Sequence, residues 1–327
     1  MDERLSFCWM KPGTVILLLA LCWGWMAMAF EPPDADARLK AIGSTDELPP
    51  LLRRAFTPDA DFRPIPGPGP NDWLTAHPEP GQTFSDFKRS LPNRPGSLRR
   101  VLYLQPLGEF PSQRSPSLET LREFAAIYFQ MKARALPPTP VTNQTFTTRL
   151  NPYTRNRQIL TEDVLRFLTK QLPEDAFCLL AITMEDLYPD PSWNFVFGQA
   201  SLRERAGVYS FARYDPAFSG ERRTRDYTSL LLRRSGKVLV HETAHMFGLA
   251  HCIYFDCVMN GSNHLGESDR RPLHLCPVCL RKLQWSIGFE VVKRYEALRQ
   301  FYRTAGFADE EKWSRQRLDK LKAAAEE

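Results

Sequence analysis

LLLRRSGKVLVHETAHMFGLAH, residues 230–251, decides how the rest of the chain is read. Val238, Leu239 and Val240 lead straight into His241-Glu242-Thr243-Ala244-His245, and the pattern predicts a helix through Phe247. At about 100° per residue, His241 and His245 lie about 40° apart, one turn from each other on one face. Both imidazoles then reach a single ion at about 2.0–2.1 Å, the usual Zn–N distance. Glu242 is turned about 100° off that face, which suits a general base better than a ligand. On a continued helix His251 would point away, about 280° round. Gly248 supplies the left-handed turn that swings it back. Three protein ligands leave one coordination position open to water, the mark of catalytic rather than structural zinc. The pattern predicts a zinc-bound water, activated by Glu242, attacking a carbonyl.

Four of the seven cysteines follow at once, as Cys252, Cys257, Cys276 and Cys279. Seven cysteines in all are too few for a disulfide scaffold at 327 residues. A Cys-x-x-Cys knuckle with a second pair at this distance suits a tetrahedral structural zinc. Two disulfides are the competing reading, made credible by an export signal, and free thiols are the third. Either way these residues clamp the chain behind the helix, and Cys252 adjoins His251, so the clamp orients that ring.

Outward from this centre, VLYLQPL (101–107) is expected as a strand. Leu118, Leu121, Phe124, Ala125 and Tyr128 recur at helical spacing behind Ser117, an N-cap residue. A second helix fits Glu162 to Gln171. FCLLAITM (177–184) is a continuous apolar run, expected as a buried central strand. NFVFGQAS (194–201) and GVYSFARY (207–214) are expected as further strands, the latter either an edge that pairs with an extended peptide or an interior strand. The alternation predicts an α+β domain with a mixed sheet over residues 101–300.

Thirteen of the 27 prolines fall between residues 30 and 100, which excludes a regular sheet or long helix there. Phe56, Phe62, Trp73, Phe84 and Phe87 are too apolar for a free linker, so an extended arm packed on the core is expected. Residues 301–327 are expected as a charged tail, its last part a solvated helix or a frayed end. At the other terminus, TVILLLALCWGWMAMA (14–29) is uncharged and apolar and ends in Ala27-Met28-Ala29. It reads as a signal peptide, 1–29, cleaved after Ala29, with an uncleaved membrane anchor as the alternative and a buried core helix as a third. Export, as a secreted or periplasmic protein, is therefore expected. A net charge of +5 spread along the chain argues against a nucleic-acid binder.

HETAHMFGLAH matches HExxHxxGxxH, the metzincin motif. With Met259 in Cys257-Val258-Met259-Asn260 and the later Cys-x-x-Cys, the chain resembles the archaemetzincins, most of all their eukaryotic-type members. The resemblance is dense over residues 177–289 and fainter elsewhere, as in NDWLTAHPEP (71–80). It implies a metzincin-like mixed sheet with an active-site helix and a smaller C-terminal subdomain. It also implies a zinc-dependent, aminopeptidase-like enzyme acting on peptide or protein substrates, with two zinc ions. His241, His245 and His251 would bind the first, with Glu242 as base, and the four cysteines the second. Gly261 stands two residues after Met259, where some other metzincins carry a tyrosine that assists an oxyanion. Tyr254 and His264 are candidate helpers in its place. A non-catalytic, zinc-stabilised binding protein is the alternative function.

His77, His264 and His274 are expected to be structural or surface residues, since both metal shells are already complete. Arg270 and Arg271 either grip a substrate carboxylate or pair with Glu267 or Asp269. Asn143-Gln-Thr145 and Asn260-Gly-Ser262 match the glycosylation triplet.

Overall fold

The computed structural model describes residues 30–112, 114–142 and 145–326. The expected signal segment with its cleavage after Ala29, and Asn143 of the first glycosylation triplet, lie outside them.

The Pro-rich arm folds into four short helices, α1 (Ala35–Ile42), α2 (Pro50–Ala55), α3 (Trp73–Ala76) and α4 (Phe84–Arg89). Pro50 opens α2 where no backbone donor is needed, and Thr83 with Asp86 makes a reciprocal capping box for α4. Ile42, Phe56, Phe62, Ile65, Leu74 and Phe87 are buried in the same apolar core as the main sheet. Arg281 donates to the carbonyls of Ile42, Gly43 and Ser44, tying the arm down. The arm is part of the core.

Beyond it come β1 (Val101–Leu107), α5 (Leu118–Phe129), β2 (Lys132–Ala135), β3 (Thr148–Leu150), β4 (Arg157–Leu160) and α6 (Thr161–Lys170). Then follow β5 (Ala176–Thr183), β6 (Asp186–Tyr188), β7 (Gly198–Ala200), β8 (Ala206–Ser210) and α7 (Tyr227–Met246). Ser117 caps α5 by accepting the Thr120 N–H at 3.2 Å. The main sheet is ordered β2-β1-β5-β8-β7, with β1, β2, β5 and β8 parallel and β7 antiparallel at one edge. A smaller sheet runs β3-β4-β6. β5 sits at the centre and is buried along its whole length, as an unbroken apolar run requires. Its Leu180 and Ile182 face the core under α5 and α7, while Leu179 and Ala181 face the cluster under α6.

Two strand expectations are corrected. NFVFGQAS pairs as a strand only over β7, with Val196 bridging Leu187 singly. GVYSFARY is interior, between β5 and β7, and stops at Ser210, whose hydroxyl donates to the Glu185 carbonyl and accepts the Ala212 N–H. A 3₁₀ turn, Ala212–Tyr214, follows. The edges of the main sheet are β2 and β7, and β7 is the one that lines the cleft.

The chain closes with α8 (Leu265–Arg270), α9 (Pro277–Ile287), α10 (Val291–Ala305) and α11 (Ala308–Glu326). The expected charged tail is instead a docked helix. Arg317 on α11 is fully buried, pairs with Asp59 and Asp61, and donates to the Arg54 and Ala55 carbonyls. Leu318 and Leu321 bury beside it. Their stripe is narrow, and the surrounding charges conceal it in the sequence. Among the described residues, no helix is long and apolar enough to cross a membrane.

Candidate active site

α7 carries His241 and His245 to the floor of a cleft of about 540 Å³, roofed by β7. The helix ends at Met246, and Gly248 takes φ +84°, with its N–H on the His245 carbonyl at 2.7 Å and the Leu249 N–H on Ala244. That reversal returns His251 to its partners. The ring centroids stand 4.6 Å (His241–His245), 5.2 Å (His241–His251) and 5.1 Å (His245–His251) apart.

Each ring is held from behind. His241 Nδ1–H donates to the Val258 carbonyl at 2.9 Å and His245 Nδ1–H to the Leu249 carbonyl at 2.6 Å. Carbonyls only accept, so these two rings carry the proton on Nδ1 and a lone pair on Nε2. The two Nε2 atoms nevertheless face each other at 3.0 Å. Two lone pairs at that separation repel unless a cation lies between them, and tetrahedral zinc spaces its nitrogen ligands by about 3.3 Å. The triad fits zinc.

His251 Nδ1–H is taken by a carboxylate, Glu79 Oε1, at 2.8 Å. The same oxygen accepts the Trp73 indole N–H at 2.8 Å. Burial would lift the Glu79 carboxyl, but the His251 and Trp73 bonds outweigh it and hold its pKa below the ordinary value. Glu79 carries no signal of its own in the sequence, and Trp73 is marked there only as an apolar anchor of the arm; both stand in NDWLTAHPEP, the faint echo at 71–80. Burial, and then its neighbour His251, push the His241 imidazole down to about 3, which keeps it neutral and ready to ligate.

Glu242 lines the cleft beside β7, and burial alone pushes its carboxyl up to about 8. At Gly261 the Trp73 indole takes the room, its Cδ1 lying only 2.4 Å from where a Cβ would stand. No side chain fits at that position.

The four cysteine thiols are free, buried and gathered with every Sγ within 4.8 Å of the others. Cys252 and Cys276 Sγ are 3.5 Å apart, near the roughly 3.8 Å that tetrahedral Zn–S bonds impose and far from a disulfide bond. Asn260 knits the loop, donating to the Cys252 and Phe255 carbonyls and accepting the Cys257 N–H. Met259 is fully buried there, and its carbonyl accepts the Cys252 N–H.

The remaining candidates are structural. Tyr254 and His264 lie outside the lining of the cleft. His264 Nε2–H donates to Asp72, and Glu267 accepts the Trp73 and Asn263 N–H groups, so α8 holds α3 in place. This Asp72–His264–Glu267 group is already neutralised by Arg270 on Asp72 and Arg271 on Glu267. Arg271 also pairs with Asp256, while Asp269 takes Arg234. His274 stacks on Trp313 at 3.8 Å, and His77 lies between Trp73 and Trp193.

Three imidazoles facing one point, a buried carboxyl on the residue after the first of them and an edge strand above them define a zinc metallopeptidase. Residues 127–285 match Peptidase family M54. Archaemetzincin-2 of Macaca fascicularis is 45% identical over 277 residues, covering 76% of this chain and 77% of that protein. The chain belongs to the archaemetzincin family. Human archaemetzincin-2 is 44% identical over 277 residues, covering 76% of this chain and 77% of its own length. A solved archaemetzincin from Archaeoglobus fulgidus, complexed with malonate, is 29% identical, covers 56% of this chain and 99% of its own, and superposes with a TM-score of 0.44.

Proposed function

We propose that the chain hydrolyses peptide bonds in the cleft between α7 and β7, with Glu242 as general base. His241, His245 and His251 hold the zinc used in the reaction, and Cys252, Cys257, Cys276 and Cys279 hold the structural one. Bound by the histidines, zinc supplies Lewis acidity toward water and carbonyl oxygen. The observation that carries this reading is the pair of Nε2 lone pairs facing each other at 3.0 Å beside a ring fixed by Glu79.

The chain's own groups divide the remaining work. β7 offers its outer backbone edge to an extended substrate, setting the scissile carbonyl over the floor of the cleft. Glu242 takes the proton from the attacking water and returns it to the departing amine, the double duty of a single buried carboxylate. Glu79 and Trp73 keep His251 aimed at its partners.

The aminopeptidase-like mode belongs to this reading, and product masses decide it: single residues released from the amino end, or internal cuts. Export through segment 1–29 rests on the sequence, and a mature protein beginning at Phe30 is its test. For the reaction, purified protein with and without Glu242→Ala is assayed on a peptide library. Chelator-sensitive cleavage by the parent chain, lost in Glu242→Ala, is expected. Equal cleavage by both chains, or none by either, contradicts the proposal.

A further inference from the structure

Lys237 lies on the same face of α7 as His241, one turn earlier and about 6 Å along the axis. It lines the cleft and is 3% exposed. Its ammonium donates to the Ser268 carbonyl at 2.5 Å and the Arg271 carbonyl at 2.6 Å. Both acceptors are neutral, and an ammonium has three donors, so one N–H is left over and no carboxylate sits directly on the charge. Among the described residues Lys237 has no ion-pair partner; its nearest acidic influences, Asp269 and Glu310, are committed to Arg234 and Arg233. Burial, with Arg233 adding to it, pulls the group down to about 7, a cost that an incoming carboxylate would reverse.

The direction of the substrate follows from the roof. A Cβ on Gly198, at the start of β7, would stand 2.6 Å from Glu242 Oε1. Just beyond the strand, Asn93 bridges the carbonyls of Leu202 and Met246 at 3.0 and 3.2 Å. β7 therefore runs in the same sense as α7. A peptide pairing antiparallel to β7, the commoner arrangement, runs back toward the N-terminal turns of α7. Its residue after the scissile bond then falls at Lys237.

We propose that Lys237 forms a carboxylate subsite at the leaving-group end of the cleft, so that the favoured substrates carry Glu or Asp immediately after the scissile bond. This rests on the peptidase reading above, and the test separates the two. Peptide pairs differing only by Glu or Gln after the cut are compared by kcat/KM. The parent chain favours Glu by about tenfold, the size of a charge-assisted hydrogen bond. Lys237→Met brings the ratio to about one, and Lys237→Arg keeps it. Binding of the same pair to zinc-loaded Glu242→Gln protein, measured by calorimetry, shows the preference without turnover. Cleavage or binding with no preference for Glu in the parent background, or a preference that survives Lys237→Met, overturns the subsite alone. Binding that prefers Glu without any cleavage by the parent chain supports the subsite and overturns the hydrolytic reading instead. If Lys237→Met does not fold, the parent and Lys237→Arg ratios decide.

Discussion

Glu79 Oε1 accepts a 2.8 Å hydrogen bond from His251 Nδ1, joining residues 172 positions apart in the chain. The Pro-rich arm thereby reaches the third imidazole of the site, and Trp73 fixes the carboxylate from its other side. Arm and site form one unit.

Removal of that carboxylate should loosen the metal before it unfolds the chain. Glu79→Ala is expected to weaken zinc at the histidine site by about 10–100-fold, with Glu79→Gln milder because its amide oxygen still accepts. Competition against a chromophoric chelator measures this, with the four-cysteine site as internal control. Parent-like affinity in Glu79→Ala argues against the relay.

Gly261→Ala sets a methyl against the Trp73 indole, whose Cδ1 stands 2.4 Å from that point. The ring must move, and Glu79 loses an indole donor with it. A stability loss of about 1–3 kcal/mol is expected, together with weaker zinc retention. Thermal melts paired with metal analysis check both, and a silent substitution would show that the indole does not sit there.

Cys276→Ser takes one of four thiolates from a buried cluster. Metal content should fall from two zinc ions toward one, and the melting temperature by about 10 °C or more. Because Cys252 adjoins His251, activity should fall as well. Retention of both ions after the substitution rules out the four-cysteine assignment.

Acid should release the C-terminal helix. Burial raises the Asp61 carboxyl, but the Lys320 ammonium and the Arg317 guanidinium outweigh it, so its folded pKa lies below the model-peptide 3.8. A depressed carboxyl contributes stability that is present above that reference value and is lost as pH falls through the folded pKa. Asp61→Asn should therefore be less stable than the parent at neutral pH, with the gap closing below about pH 3.8. Denaturant melts across pH read this, and a gap independent of pH would assign the loss to packing instead.

The site was legible in the sequence to the extent that its residues are neighbours in the chain. His241, Glu242 and His245 share one helix, and the glycine turn at Gly248 returns His251 to them, so helical periodicity with one left-handed residue brings them together. β5 was legible because a strand covered on both faces needs an unbroken apolar run. Glu79 and Trp73 were not, since no local period links residue 79 to residue 251 and only the fold brings them into contact. α11 hid for a different reason: Arg317 is buried through paired carboxylates and backbone carbonyls, so its burial leaves no apolar mark. NFVFGQAS and GVYSFARY carry strand-like composition beyond their ends, where side-chain hydrogen bonds such as that of Ser210 divert the backbone.

The most direct test is anomalous diffraction at the zinc edge from crystals of the purified protein. Two peaks are predicted, one bounded by the Nε2 atoms of His241, His245 and His251 at about 2.0–2.1 Å and one by the four Sγ atoms at about 2.3 Å. A map with no peak among the three imidazoles, or with His251 turned away from a metal held by the other two, would contradict the account.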